Sequence, residues 1–173
     1  MSGAGDRLAG TMVWLRPATE SDLARIVEIV ACPGAVLWWW SFDADQQLAE
    51  IRDPGPGARP FVVEHGGHVV GLIQYGEELE PAYLHAWIDI VLHDDAQGRG
   101  LGRDSLRTLA RHLFEVVGHH RLTIDPAAAN QRAIRCYEAV GFRPVGVMRA
   151  YELGRDGTWH DSLLMDLLAG DLQ

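Results

Sequence analysis

Gln97-Gly98-Arg99-Gly100-Leu101-Gly102-Arg103 separates an alternating apolar run that ends at Leu92 from a run that is apolar at helical spacing, Leu106, Leu109, Leu113, Phe114 and Val117. The order is therefore strand, glycine-rich turn, helix. Three glycines at alternate positions let the chain turn tightly and bring backbone N–H groups close to a ligand. The first turn of the helix adds about half a positive charge. Such a turn is an anion site suited to phosphate or pyrophosphate, with Arg99 and Arg103 as flanking cations. It lacks the Gly-Lys-Ser/Thr of a Walker loop, and its glycine spacing is not that of the dinucleotide fingerprint. The plain alternative is a flexible loop that is merely rich in glycine.

Outward from this turn, the chain reads as short alternating elements. Met12 to Ala18 is a strand, and Thr19 caps a helix with Leu23, Ile26, Val27 and Val30 on one face. Cys32-Pro33-Gly34 ends it, a second helix runs from about Asp43 to Arg52, and Asp53-Pro54-Gly55-Pro56-Gly57 is a loop. Gly66-Gly67 joins the β-rich runs Phe61 to His65 and His68 to Tyr75 into a hairpin. Tyr83 to Leu92 is the strand before the glycine turn. Beyond Gly118 come a strand from Leu122 to Asp125, a helix from Asn130 to Val140 stopped by Gly141, and two strands, Phe142 to Tyr151 and Ser162 to Leu168, turned at Gly154-Arg155-Asp156-Gly157. The order β-α-α-β-β-β-α-β-α-β-β predicts a mixed, mostly antiparallel sheet of about seven strands with about four helices, an α/β protein in the broad sense (α+β). One domain is expected over residues 12–173, after a loose tail over residues 1–11.

The composition agrees. A 173-residue chain with 47% hydrophobic and 23% charged residues is an ordinary globular domain. It has no apolar run of the ~20 residues that span a bilayer. Two cysteines make no disulfide framework, so a cytoplasmic protein is expected. The net charge is −9, and every basic residue is arginine. That balance argues against nucleic acid and suits a cationic partner. The eight histidines show no zinc spacing, so no metal is expected. A monomer or a homodimer both fit.

Several side chains are candidates for chemistry. Alternation places Tyr83, His85, Trp87, Asp89 and Val91 on one face of their strand. An aspartate in mid-strand needs a reason, because it is disfavoured there and expensive to bury. Either Asp89 lies on a solvated face or makes a structural hydrogen bond, or it is a cleft carboxylate that draws in an ammonium and takes its proton. Asp125, before Pro126, is either a turn residue or a substrate contact. Glu77, Glu78, Glu80, Asp89, Asp94 and Asp95 fall in a window with no arginine, either a solvated charge run or the rim of a polyamine pocket. Tyr137 shares its helix face with Ala133, Ile134 and Val140, as a core residue would, and a phenol is also a hydrogen-bond donor. Asn130 is placed to cap that helix. Trp38, Trp39 and Trp40 are either core or a surface on which sugar rings stack. Cys136 has no His-Asp frame around it and is no nucleophile.

Gln97-x-x-Gly100-x-Gly102 after a strand resembles the acetyl-CoA signature of the GNAT N-acetyltransferase superfamily. Asn130-x-x-Ala133-Ile134-x-x-Tyr137-x-x-x-Gly141-Phe142 resembles its second signature, and the likeness spans Val13 to Leu168. The resemblance implies that the backbone of Gln97, Gly98, Arg99, Gly100, Leu101, Gly102 and Arg103 holds the pyrophosphate of coenzyme A. It implies that Ile90, Val91 and Leu92 pair with the pantetheine arm, and that Asn130, Arg132 and Tyr137 also contact coenzyme A. Two parallel strands ending near Leu92 and Asp125 are expected to splay and admit the thioester. Tyr137 is the expected general acid toward the leaving thiolate, and Asp89 the base or amine-binding group. The chain is most similar to aminoglycoside 6′-N-acetyltransferases, through Ile88-Asp89, through Thr123-Ile124-Asp125-Pro126 before Asn130-x-Arg132-Ala133-Ile134-Arg135-Cys136-Tyr137-Glu138, and through Leu37-Trp38-Trp39-Trp40. That likeness implies antibiotic resistance by transfer of acetyl to a 6′ amine, or to the 2′ amine of a kasugamycin-like aminosugar. Trp38, Trp39, Glu77, Glu78, Trp87, Asp89 and Asp125 would form the acceptor site. Acetylation of a protein N-terminus or a small polyamine is the alternative. An inactive coenzyme A-binding module is a second, against which the intact loop and Tyr137 stand.

Overall fold

A computed structural model of the chain describes residues 7–39, 43–55 and 58–173. Eight strands, β1 (Leu8–Ala9), β2 (Trp14–Pro17), β3 (Arg59–His65), β4 (His68–Glu78), β5 (His85–Leu92), β6 (Arg121–Ile124), β7 (Arg143–Leu153) and β8 (Trp159–Leu168), form one sheet in the order β1-β2-β3-β4-β5-β6-β8-β7. The helices are α1 (Leu23–Val30), α2 (Pro33–Val36), α3 (Ala44–Arg52), α4 (Leu101–His112) and α5 (Gln131–Glu138).

Most of this is local chemistry. Thr19 and Asp22 form a capping box ahead of α1. Gly66 and Gly67 both take left-handed backbone, with φ of 58° and 83°, which the two-residue turn between β3 and β4 requires. Two features depart from the expected order. Pro33 ends α1 but also starts α2, because its fixed φ suits a first helical position. Residues 8–11, expected in the tail, are instead built into the fold. Leu8 and Ala9 pair with Leu15 and Trp14, and the amides of Thr11, Met12 and Val13 donate to the Asp104 carboxylate at 3.1, 2.6 and 3.0 Å. Asp104 lies in the first turn of α4, more than ninety residues away in sequence, so no local pattern announces it.

The sheet has a core on each face. Ala86, Ile88, Leu106, Leu109, Ile134 and Tyr137 belong to one, under α4 and α5. Ile26, Ile29, Ala35, Val62, Leu72 and Val91 form the other, under α1 and α2. Alternation along β5 sends Trp87 and Asp89 to the same side as Val91.

Every strand pair is antiparallel except β5–β6, and that pair is brief. Ala86 faces Leu122 and Trp87 faces Thr123; from Ile88 to Leu92, β5 runs on with no β6 partner. Pro126, just beyond β6, has no N–H to extend the ladder. The two parallel strands therefore part in the middle of the sheet.

Candidate active site

The gap between β5 and β6 opens into a cavity of about 1100 Å³. At one end lies the glycine turn. Gly98 and Gly100 have φ of 74° and 83°, backbone that side chains rarely adopt. A Cβ built on Gly98 meets nothing within 4 Å, so the space over the turn is open. The Gln97 side chain donates to the Leu92 carbonyl at 2.8 Å and accepts from Arg132, which ties the turn to the end of β5 and to α5. Gln97, Gly98, Gly100, Gly102 and Arg103, with Ile90, Val91 and Leu92 of β5 and Asn130, Arg132 and Tyr137, all line the cavity. Free N–H groups at the start of a twelve-residue helix, an open cradle and two arginines fit a diphosphate, and the unpaired edge of β5 fits an extended amide chain. Asn130 also caps α5, its side-chain oxygen 3.1 Å from the Ala133 amide.

Two residues of the turn stand apart. Arg99 is exposed and donates to Nε2 of His65 at 3.2 Å, and Leu101 is wholly buried in the core. Neither lines the cavity, and the Leu101 side chain is closed off from a ligand by the core.

Beyond the turn, Asp89 of β5 meets Gln74 of β4, Asp125 after β6, and Tyr151 and Glu152 of β7, and Trp87 of β5 and Trp38 and Trp39 after α2 line the same cavity. Burial, then the neighbouring Asp125 carboxylate, pushes the Asp89 carboxyl up to about 7, against an opposing hydrogen bond from Gln74. Burial raises Asp125 as well, opposed by a hydrogen bond with Tyr151. Burial and Asp125 raise Glu152, against the opposing pull of His160. Three carboxylates thus share one wall; among the described residues no arginine forms an ion pair with any of them, and His160, opposite Glu152 in the β7–β8 register, is the basic group beside that wall.

Glu77 and Glu78, expected at this rim, are elsewhere. Glu77 alternates to the opposite face of β4, where it accepts from Nε2 of His119 at 2.8 Å and pairs with Arg59 at 3.1 Å. Glu78 is exposed near the end of β4 and accepts from the Glu80 amide. Trp40 lies outside the described residues.

Tyr137 is buried at the bottom of the cavity, its ring centroid 6.2 Å from that of Phe142. Burial holds its hydroxyl above the usual phenol range, so it is protonated at neutral pH. Burial likewise raises the Cys136 thiol, against the pull of Arg103 and Arg132. Among the described residues no group of His, Cys, Asp or Glu is arranged to hold a metal ion, and no helix is long and apolar enough to cross a membrane.

The residues that sequence reasoning missed include Gln74, Tyr151, Glu152 and one stripe at α3, its N-cap Asp43 with Gln46, Gln47 and Glu50, all on the cavity lining. The stripe follows helical spacing and could have been read as one face. Gln74 stands directly opposite Asp89 in the β4–β5 register, which only the pairing reveals.

The family model described as the acetyltransferase (GNAT) family matches residues 23–142. Aminoglycoside N(6′)-acetyltransferase type 1 of Klebsiella pneumoniae is 32% identical over 155 residues, covering 79% of this chain and 76% of that protein. Spermidine N(1)-acetyltransferase of Escherichia coli is 24% identical over 158 residues, covering 88% and 84%. Among solved structures, Mycobacterium smegmatis RimJ in complex with CoA-disulfide superposes with a TM-score of 0.79 at 27% identity, covering 98% of this chain and 88% of that one.

Proposed function

The chain belongs to the GNAT acetyltransferase family and is an acetyl-CoA-dependent N-acetyltransferase, and from that premise we propose that its acceptor is a primary amine of an aminoglycoside. The 6′ amine is the first choice, and the 2′ amine of a kasugamycin-like aminosugar the second. The observation that carries this reading is the wall of three carboxylates, Asp89, Asp125 and Glu152, with no arginine paired to it where β5 and β6 part. A polycation supplies the missing charge, and Trp38, Trp39 and Trp87 offer faces for its rings.

In this reading each end of the cavity has its task. The glycine turn, Arg103 and Arg132 bind the diphosphate of coenzyme A, whose thioester supplies the acetyl group. Asp89 takes a proton from the acceptor ammonium, leaving a free amine to attack the carbonyl carbon. A backbone N–H of β5 near Val91 stabilises the oxyanion. As the C–S bond breaks, Tyr137 gives its proton to the sulfur, and the proton shed by the new amide nitrogen restores the phenol through cavity water. The chain from Leu8 onward acts as one catalytic domain in the cytoplasm, where the free thiols of Cys32 and Cys136 stay reduced.

The same wall also favours a small polyamine, and the spermidine acetyltransferase relative supports that second reading. The test is steady-state thiol release over pH with kanamycin-type, kasugamycin-type, spermidine and N-terminal peptide acceptors, for wild type and Asp89→Asn. Wild-type turnover rises with pH through about 7, as Asp89 gains its charge. Asp89→Asn loses that limb and most turnover, and keeps acetyl-CoA affinity within about threefold, under 1 kcal/mol. Wild-type turnover in the variant at every pH makes Asp89 structural. Acetylation of the peptide alone replaces the antibiotic reading.

A further inference from the structure

We infer that Gln74 is a positioning residue for Asp89, holding its carboxylate in the acceptor site and matching it in both protonation states. This rests on the reading of Asp89 as the base. Gln74 and Asp89 are directly opposite in the β4–β5 register, and both line the cavity. The neighbouring β4 positions on that face are Leu72, wholly buried in apolar packing, and Gly76, which has no side chain. Gln74 is therefore the polar β4 neighbour of Asp89. Beside the carboxylate, Gln74 acts as a hydrogen-bonding neighbour that favours its charged form. Its Oε1 is buried and has no hydrogen-bond partner.

That combination is costly for a residue that only packs, because a buried acceptor without a partner carries its full desolvation penalty. It has a use if the neighbour changes state. The ionised carboxylate only accepts, and the amide N–H serves it. Once Asp89 has taken the ammonium proton it becomes an O–H donor, and a half-turn of the Gln74 amide presents the empty Oε1 to receive it. A carboxamide can do this and a leucine cannot. The other titratable groups facing Asp89 are Asp125, Glu152, Tyr151 and Tyr137. Asp43 and Glu50 of α3, with Arg103, Arg132, Arg135 and Cys136, lie elsewhere on the lining. All of these stay in place when Gln74 is replaced.

The experiment measures kcat/KM for a kanamycin-type acceptor against pH, with acetyl-CoA affinity by calorimetry, for wild type, Gln74→Leu, Gln74→Glu and Asp89→Asn. Removing the N–H that favours the carboxylate moves the acid limb of Gln74→Leu to higher pH by about half a unit or more, with turnover recovering on the alkaline plateau. Gln74→Glu moves the limb further the same way, because two adjacent carboxyls hold a proton between them. Acetyl-CoA affinity is unchanged in both. Equal loss at every pH, or an unmoved limb in both folded variants, overturns the inference. If the leucine variant does not fold, Gln74→Met and Gln74→Glu decide it. An acid limb that survives in Asp89→Asn sinks the base reading itself. A limb lost in Asp89→Asn but unmoved in the Gln74 variants sinks only the role of Gln74.

Discussion

Tyr137 shows how one residue serves packing and chemistry at once. Its ring belongs to the core with Ile134, Val140 and Phe142, and the residue also lines the cavity. Burial holds the phenol protonated, which suits the donor role proposed for it and not that of a base. Tyr137→Phe keeps the ring and removes the proton. Turnover is expected to fall about 10²–10⁴-fold, with acetyl-CoA affinity and the thermal midpoint little changed. Single-turnover thiol release alongside a melting curve checks both, and full activity in the folded variant leaves water as the proton source. At this scale the sequence was legible where a residue's place follows from its own motif: Tyr137, Asp89 and Gln97 all line the cavity. It misled where proximity in sequence stood in for proximity in space. Glu77 belongs to an acidic window, but strand alternation turns it away from Asp89 toward His119 and Arg59.

Among the elements, the glycine turn was the most legible, because glycine, helix start and strand end are all local. A left-handed backbone at Gly100 is needed to begin α4, and Gly100 is its N-cap. Gly100→Val puts a branched side chain both into strained backbone and onto the cavity lining. Acetyl-CoA affinity is expected to fall at least about tenfold, roughly 1.4 kcal/mol, in a chain that circular dichroism shows to be folded. Unchanged affinity by calorimetric titration removes the turn from the site. The elements that escaped the sequence are held from afar. β1 is two residues long, with no pattern of its own, and the chain beside it is fixed by the Asp104 carboxylate. The polar face of α3 matters only because the fold turns it toward the cavity.

For the whole molecule, charge is the property that composition already carried and that the fold puts in order. The chain bears −9 overall, yet the cavity is divided: arginines and helix N–H groups at the turn, a cluster of carboxylates around Asp89 beyond it. A polycationic acceptor is drawn by both the global field and the local wall. Coenzyme A is anionic and meets an unfavourable global field and a favourable local one, which salt screens together. From low to physiological and then to high ionic strength, the Debye length shrinks from about 30 to 8 to 3 Å. The KM for a kanamycin-type acceptor is therefore expected to rise about tenfold or more from low to high salt, while that for acetyl-CoA moves by less than about threefold. Spermidine, with fewer charges, should show a shallower rise, and Asp89→Asn, with one carboxylate fewer, a shallower rise for either amine. Steady-state rates at fixed pH across a salt series check this. A flat acceptor KM would mean that shape and the tryptophan faces hold the acceptor, and the carboxylate wall would then serve proton transfer alone.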